Sequence, residues 1–385
     1  MPMKVIRANL ADHPAVRAWR RLGGDRAEPE SIQILKEVAH DTRCDLDPFP
    51  PEGTSRYSVL ELSPNRSAVY RLVGVGPGGS AVVAKQCNQK HSEAAVTEHI
   101  MYERVLPRLP ISALRYYGLV DDDTECRWLF LEDAGDENYA LEVAEHRALA
   151  GRWLGAMNLS AQRLAVGEAL PDRGPAFYLE GLRRARAMIT NVLGHPAVRA
   201  DVRWRTLEAI VGHCDRLETL WPAIERFGEH IPRTLVHGDL ASKNVRVRAE
   251  QGGESLLVMD WETAGWGIPA ADLAQFSLER SHYISLSPDL EAYWAVVQPW
   301  WPRVDLPDLR RLAELGKAFR LIVAISWMNE GFHASTVEWY MTDMSWYEPE
   351  LRDWLRTTGF EAFKSVRSRL LGASGRPGPD RDAPL

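Results

Sequence analysis

The sequence predicts an α+β chain with its strands gathered early and helices filling most of the remaining length. Three observations carry that reading. Four short runs bounded by turn-forming residues read as strands, at 57–62, 68–75, 80–87 and 127–131. Beyond residue 135 the pattern is mainly helical. That stretch is interrupted by Val245-Arg-Val-Arg248, which alternates like a strand, and by the apolar run Leu257-Val-Met-Asp260. The turn signal Ala249-Glu-Gln-Gly-Gly-Glu254 lies between them, so the interruption reads as a hairpin.

The elements follow in order. Residues 15–21 and 28–38 read as short helices, and Asp47-Pro-Phe-Pro-Pro51 then breaks the chain. Residues 1–55 are therefore expected to form an appended N-terminal extension without assigned chemistry. Gly74-Val-Gly-Pro-Gly-Gly79 matches G-x-G-x-x-G, but a dinucleotide-binding fingerprint must open a helix, and here another strand follows. These glycines read as a hairpin turn. A helix is expected over 93–109, with Ser92 as N-cap. The strand at 127–131 runs into Glu132-Asp-Ala-Gly135, which reads as a connection between two lobes. Residues 372–385 have the composition of disorder.

Composition narrows the function classes. The 385 residues can build one large two-lobed unit or two domains with ample core. Charged residues make up 26% and the formal net charge is −7, so no global basic field points to nucleic acid. Cys44, Cys87, Cys126 and Cys214 are scattered, without metal-ligand or redox spacing, and read as reduced thiols of a cytoplasmic protein. Met1-Pro-Met-Lys4 opens no apolar leader and no apolar run approaches membrane length, so no membrane partner is expected.

The chemistry concentrates at the late hairpin. Two antiparallel strands joined by a short turn bring the start of the first beside the end of the second. Asn244 begins one strand and Asp260 ends the other, so two oxygen ligands stand side by side, with Asp239 just upstream. A hard cation such as Mg2+ takes oxygen ligands and keeps waters and substrate phosphates in the rest of its shell. The pattern points to phosphoryl transfer.

His237-Gly-Asp239, followed five residues beyond the aspartate by Asn244 and later by Asp260, resembles the catalytic and metal-binding loops of the aminoglycoside phosphotransferase and choline kinase family. These are small-molecule relatives of protein kinases, whose own pattern has Arg where this chain has Gly238. The resemblance implies a two-lobed, protein-kinase-like fold. An N-lobe at 56–134, a small antiparallel sheet with one helix, would bind the nucleotide. A larger, mainly helical C-lobe at 135–371 would carry the catalytic hairpin and the acceptor site. ATP and Mg2+ are the cofactors it implies.

The same resemblance assigns roles. Asp239 becomes the base that accepts the proton of the incoming hydroxyl, while Asn244 and Asp260 hold Mg2+. Lys243 neutralises charge on the transferring phosphoryl group, or is a surface lysine. Glu262 binds a second metal or a substrate hydroxyl, or makes a local salt bridge. His237 is a structural hydrogen-bonding residue, and Asp272 in Ala270-Ala-Asp-Leu-Ala274 braces the catalytic loop. In the small lobe, Ala81-Val-Val-Ala-Lys85 resembles the strand whose lysine holds the α- and β-phosphates. Such a lysine needs an orienting carboxylate, and the following helix offers Glu93, Glu98 and Glu103. At about 100° per residue Glu98 shares a face with Met101, Tyr102 and Val105, where an unpaired acid is costly, so Glu98 is the expected partner. A kinase phosphate loop lies between the first two strands. Ser63-Pro-Asn-Arg-Ser67 occupies that place, with Ser67 bonding a phosphate oxygen and Arg66 adding charge.

Acceptor recognition is expected after the metal motif. Residues 326–350 hold five acids and six aromatics but no Lys or Arg, which suits a cationic or sugar-like ligand as well as an ordinary packed helix. Glu330, Glu338, Asp343 and Glu348 are the candidates. An aminoglycoside-like polycation, an amino alcohol and a neutral sugar all fit. The leading function is an ATP-dependent kinase of a small-molecule hydroxyl. A catalytically silent nucleotide-binding or scaffolding protein is opposed by the intact set Lys85, Asp239, Asn244 and Asp260. A protein kinase is opposed by Gly238 and by Asp260-Trp-Glu262 in place of Asp-Phe-Gly.

Overall fold

In a computed structural model, which describes residues 4–6, 10–24, 29–35, 68–88, 92–121, 126–250, 252–278, 283–330, 332–333 and 336–357, the early strands pair into one six-stranded antiparallel sheet. The small lobe runs β1 (Lys4–Ile6), α1 (Pro14–Arg21), β2 (Ser31–Leu35), β3 (Ala68–Val73), β4 (Val82–Asn88), α2 (Ser92–Ile100), β5 (Tyr116–Asp121) and β6 (Cys126–Glu132). Its spatial strand order is β1-β2-β3-β4-β6-β5. Period-two alternation sorts the faces of β4. Val82 and Ala84 are buried against the α1 side, with Trp19, Leu72, Trp128 and Phe130. Lys85 points the other way, to α2.

Two expectations are corrected here. Residues 28–38 do not form a helix: Ser31-Ile-Gln-Ile-Leu35 alternates, and β2 pairs with β3 in the register Ile32↔Leu72. This buries Ile32 completely, which a short solvated helix could not do. The described part of residues 1–55 is not appended either. β1 and β2 extend the sheet, and α1 inserts Ala15, Val16, Ala18 and Trp19 into its core. The Trp19 ring meets Tyr117 edge-on at 5.4 Å. The strand expected at 57–62 lies outside the described residues.

Other elements fall where the pattern places them. The 3-10 turn Pro77–Gly79 joins β3 to β4, so the glycine run is a hairpin turn. The helix expected over 93–109 is one helical stretch whose geometry changes: α2 passes into a π turn at Met101–Val105 and a 3-10 turn at Leu106–Arg108. β5 was not anticipated. It is an edge strand with no fully buried residue, which leaves little apolar signal.

The large lobe continues with α3 (Ala144–Arg163), β7 (Asp172–Arg173), α4 (Pro175–Val192), α5 (Pro196–Ala200), α6 (Trp204–Gly228) and β8 (Thr234–Val236). The hairpin β9 (Val245–Glu250) and β10 (Gly253–Val258) follows, then β11 (Gly265–Gly267), α7 (Ala270–Leu273), β12 (Ser277–Leu278) and β13 (Tyr283–Ile284). The chain closes with α8 (Leu290–Val297), α9 (Leu306–Glu330) and α10 (Val337–Thr357). No described helix is long and apolar enough to cross a membrane.

Two contacts position the site. Arg71 on β3 pairs with Asp133 at 2.8 Å and Asp136 at 2.7 Å, tying the sheet to the inter-lobe connection. That connection joins the hairpin through Val247 N–H to the Glu137 carbonyl, 3.0 Å. In the large lobe α9 lies against α7 at Gly316, where an added Cβ would sit 1.9 Å from the Ala270 carbonyl oxygen. Only glycine permits that approach.

Candidate active site

β8 is completely buried and delivers His237-Gly-Asp239 to the lobe interface. The His237 ring spans the loop: Nδ1 accepts from Asp239 N–H at 3.2 Å, so Nε2 is the donor to the Met259 carbonyl at 3.0 Å. This assigns a neutral imidazole, in line with burial holding its pKa below the ordinary value. Asp272 on α7 accepts from the N–H groups of His237 at 2.7 Å and Gly238 at 2.9 Å. His237 is thus a spacer and Asp272 a brace. Gly238 has φ +84°, and a Cβ would lie 2.9 Å from the Thr263 carbonyl oxygen. The arginine of the protein-kinase pattern does not fit this loop.

Asp239 is 4% exposed, with both carboxylate oxygens engaged. Asn244 Nδ2 donates to its backbone carbonyl at 2.9 Å and to Oδ2 at 3.2 Å. Lys243 Nζ stands 3.7 Å from Oδ2. Arg320, from α9, donates to Oδ1 and to the Gly238 carbonyl. Burial alone would raise the Asp239 carboxyl, but Arg320 and then Lys243 outweigh it and hold the pKa below its ordinary value.

Register places the second half. Val245 faces Val258 across the β9–β10 hairpin, and Met259 N–H donates to the Asn244 carbonyl at 2.9 Å, so Asn244 and Asp260 are neighbours. Asp260 sits in the left-handed region with φ 67°, an uncommon conformation for a non-glycine residue and one found at functional sites. Lys85 crosses from the small lobe into a carboxylate cage, with Nζ 2.9 Å from Glu98, 2.5 Å from Asp260 and 3.2 Å from Glu262. Burial disfavours the charged amine, but Asp260, Glu98 and Glu262 together raise its pKa well above the ordinary value. The Asp260 charge, and then burial, push Glu262 up to about 7. Carboxylate oxygens of Glu98, Asp260 and Glu262 lie within 4.8 Å of one another. These carboxylates are oxygen donors of the kind a hard divalent cation takes, and Asn244 stands beside Asp260 through the Met259 N–H bond to its carbonyl.

The remaining candidates fare differently. Ser67 and Arg66 lie outside the described residues, as does the Glu330 side chain. Two acceptor candidates have partners within the large lobe: Glu338 contacts Arg203 at 2.8 Å, and Glu348 contacts His213 at 2.9 Å and Arg352 at 3.0 Å. The first two contacts lie where α10 packs on α6 and the residue before it, and Arg352 is one turn along α10 itself. Asp343 is 0% exposed, and neither carboxylate oxygen has a partner among the described residues.

Burial pushes Asp343 from its ordinary 3.8 up to about 7. A raised carboxyl pKa means that the folded state keeps a proton the unfolded chain gives up. Its cost is absent below the ordinary value, grows as pH rises between the two pKa values and is complete above the folded one. Asp343→Asn is therefore expected to raise the unfolding temperature near pH 8 and to leave it almost unchanged near pH 4. Calorimetry at both pH values checks this, and equal shifts at the two would contradict it.

Sequence reasoning missed Arg320 and Arg71. Arg320 belongs to no motif and lies 81 residues beyond Asp239. One signal was available: Ala318-Phe319-Arg320-Leu321-Ile322 places a lone charge in an apolar stretch, which requires a buried partner. That signal demands an anion without saying which.

Fold and site together are those of a phosphotransferase with a protein-kinase-like architecture. A model of the phosphotransferase enzyme family matches residues 58–315, well over half of the chain, and the protein belongs to that family. Among solved structures, an aminoglycoside 2'-phosphotransferase in complex with GDP has a TM-score of 0.50 at 13% identity, covering 93% of this chain and 98% of that one. Choline kinase from Cryptosporidium parvum has a TM-score of 0.48 at 12% identity over 81% of this chain and 89% of that one. For ethanolamine kinase from Plasmodium vivax the values are 0.46 and 15%, over 78% and 80%. Likeness at such identity speaks for the fold alone. No curated protein matches the chain.

Proposed function

We propose that the protein is an ATP- and Mg2+-dependent kinase that phosphorylates a hydroxyl of a small molecule, with Asp239 as the base. The supporting observation is the contact of Lys85 with Asp260 at 2.5 Å, which brings the small-lobe lysine to the hairpin beside Asp239 and Asn244. In this reading residues 56–134 serve the nucleotide and residues 135–371 the catalytic and acceptor groups. Asn244 and Asp260 would hold Mg2+, with Glu262 beside them. The ion would supply charge neutralisation on the phosphates. Lys85, oriented by Glu98, takes the α- and β-phosphate oxygens. Lys243, 3.7 Å from Asp239, neutralises the phosphoryl group in transit. Asp239 accepts the hydrogen bond of the acceptor hydroxyl and fixes its line of attack, since positioning and charge supply most of the catalysis in phosphoryl transfer.

The acceptor is an aminoglycoside-like antibiotic, an amino alcohol or a sugar. A small cavity of about 80 Å3 between α4 and α9, lined by Phe177, Tyr178, Val323, Ser326 and Trp327, opens beside the helix that carries Arg320. ADP release from MgATP, measured across antibiotics, amino alcohols and sugars, tests the reading, with MgGTP as a second donor. The expected result is turnover with at least one acceptor and loss of turnover when Mg2+ is chelated. A folded protein that neither binds MgATP nor turns it over with any member of the panel would overturn it.

A further inference from the structure

Arg320 is 1% exposed, one of the largest fully buried side chains among the described residues. A buried guanidinium stays charged, so it is tolerated only where an anion and acceptors meet it. The catalytic loop supplies both. Arg320 donates through Nη1 to the Gly238 carbonyl and through Nη2 to Asp239 Oδ1. Two contacts from one rigid, planar group fix the loop and the rotation of the Asp239 carboxylate together.

The two oxygens of Asp239 are therefore unequal. Oδ1 is turned onto Arg320, inside the protein. Oδ2 lies on the side of Asn244, 3.2 Å away, and of Lys243, whose side chain is 39% exposed. A carboxylate oxygen accepts more than one hydrogen bond, so Oδ2 keeps capacity for a hydroxyl arriving from the exposed side.

Arg320 is itself held by its helix. Gly316, one turn earlier on the same face of α9, allows the close approach to the Ala270 carbonyl. Phe319 stacks on Tyr178 of α4 at 3.8 Å between ring centres. α9 thus rests on α7, whose Asp272 braces the other side of the same loop. Lateral brace and buried cation arrive as one packed unit.

We propose that Arg320 is a positioning residue for phosphoryl transfer: it occupies one oxygen of Asp239 so that the other faces the acceptor. This rests on the reading of Asp239 as the acceptor-facing carboxylate. A role confined to docking α9 would differ in its consequences. Loss of docking removes stability, nucleotide binding and turnover together, whereas loss of positioning removes turnover and leaves nucleotide binding in place.

The experiment compares MgATP hydrolysis, with water as acceptor, in the wild type, Arg320→Met and Arg320→Lys. Kd for MgATP is measured on each by calorimetry, together with thermal unfolding. In Arg320→Met, kcat is expected to fall about 100-fold while Kd for MgATP stays within about threefold. Arg320→Lys keeps the charge without the two-point fork and is expected to regain only about a tenth of the lost rate. Should Arg320→Met fail to fold, Arg320→Lys carries the same comparison. A folded variant with wild-type kcat, or one that loses kcat and MgATP affinity in equal proportion, overturns the role of Arg320. Where the wild type turns MgATP over only with an acceptor of the panel, the same comparison is made on that acceptor. A wild type that neither binds MgATP nor turns it over with water or any acceptor overturns the reading of the whole site. Active wild type beside equally active Arg320 variants overturns the role of Arg320 alone.

Discussion

Asp239→Ala is expected to lower kcat by about 10²–10⁴-fold, the range for loss of a positioned acid–base group. It should also cost about 3–5 kcal/mol of stability, the penalty for leaving a buried charge without its partner. The charge that loses its ion-pair contact is Arg320, 1% exposed and bonded to Asp239 Oδ1. The two effects separate in the double variant Asp239→Ala/Arg320→Met. Removing both charges is expected to restore part of the stability and none of the turnover, because the pair couples in folding while chemistry needs the carboxylate. Denaturant unfolding and ADP release on the same preparations check this. Recovery of turnover in the double variant would show that Asp239 acts only through the charge balance of the loop.

Lys85→Met should have the second largest effect. Lys85 is the cation shared by Glu98, Asp260 and Glu262, at 2.9, 2.5 and 3.2 Å. Its removal leaves carboxylate oxygens within 4.8 Å of one another and withdraws a preorganised charge from the nucleotide phosphates. A fall of about 10²–10³-fold in kcat is expected from the second loss. The first should appear as a lowered unfolding temperature in the presence of a chelator, partly restored by millimolar Mg2+, which can replace the lysine charge among oxygen donors. Unfolding measured with and without Mg2+ provides the check. A variant whose stability ignores Mg2+ would show that these carboxylates do not take the ion.

Much of the site was legible because its information is local. The hairpin could be read from alternation and a Gly-Gly turn, and its register alone makes Asn244 and Asp260 neighbours. Glu98 could be chosen over Glu93 and Glu103 because helical spacing puts it on an apolar face, where an acid needs a partner. Lys85 meets it at 2.9 Å. The glycine run at 74–79 could be set aside because a strand follows it, and it is a turn. These inferences need only the periods of helix and strand and the cost of burying charge.

Where two readings competed within a short segment, the same rules were not enough. Ser31–Leu35 carries too few residues to separate helix from strand by composition, and pairing with β3 settles it. The acids of α10 show the same limit. Glu338 and Glu348 lie in an aromatic, acid-rich stretch that suits a cationic ligand, yet they contact Arg203, just before α6, and His213 on it. Nothing in residues 326–350 announces those partners, which lie 135 residues earlier in the chain.

The chain's own pattern thus marks the groups that meet at the site, since Lys85, Glu98, Asp239, Asn244 and Asp260 are each picked out by spacing within one element or one turn. Tertiary structure alone decides how Asp239 is held. Arg320 reaches it from 81 residues away, through an α9–α7 contact that depends on Gly316. Periodicity tells a residue that it will be buried, and only packing between distant elements tells it beside what.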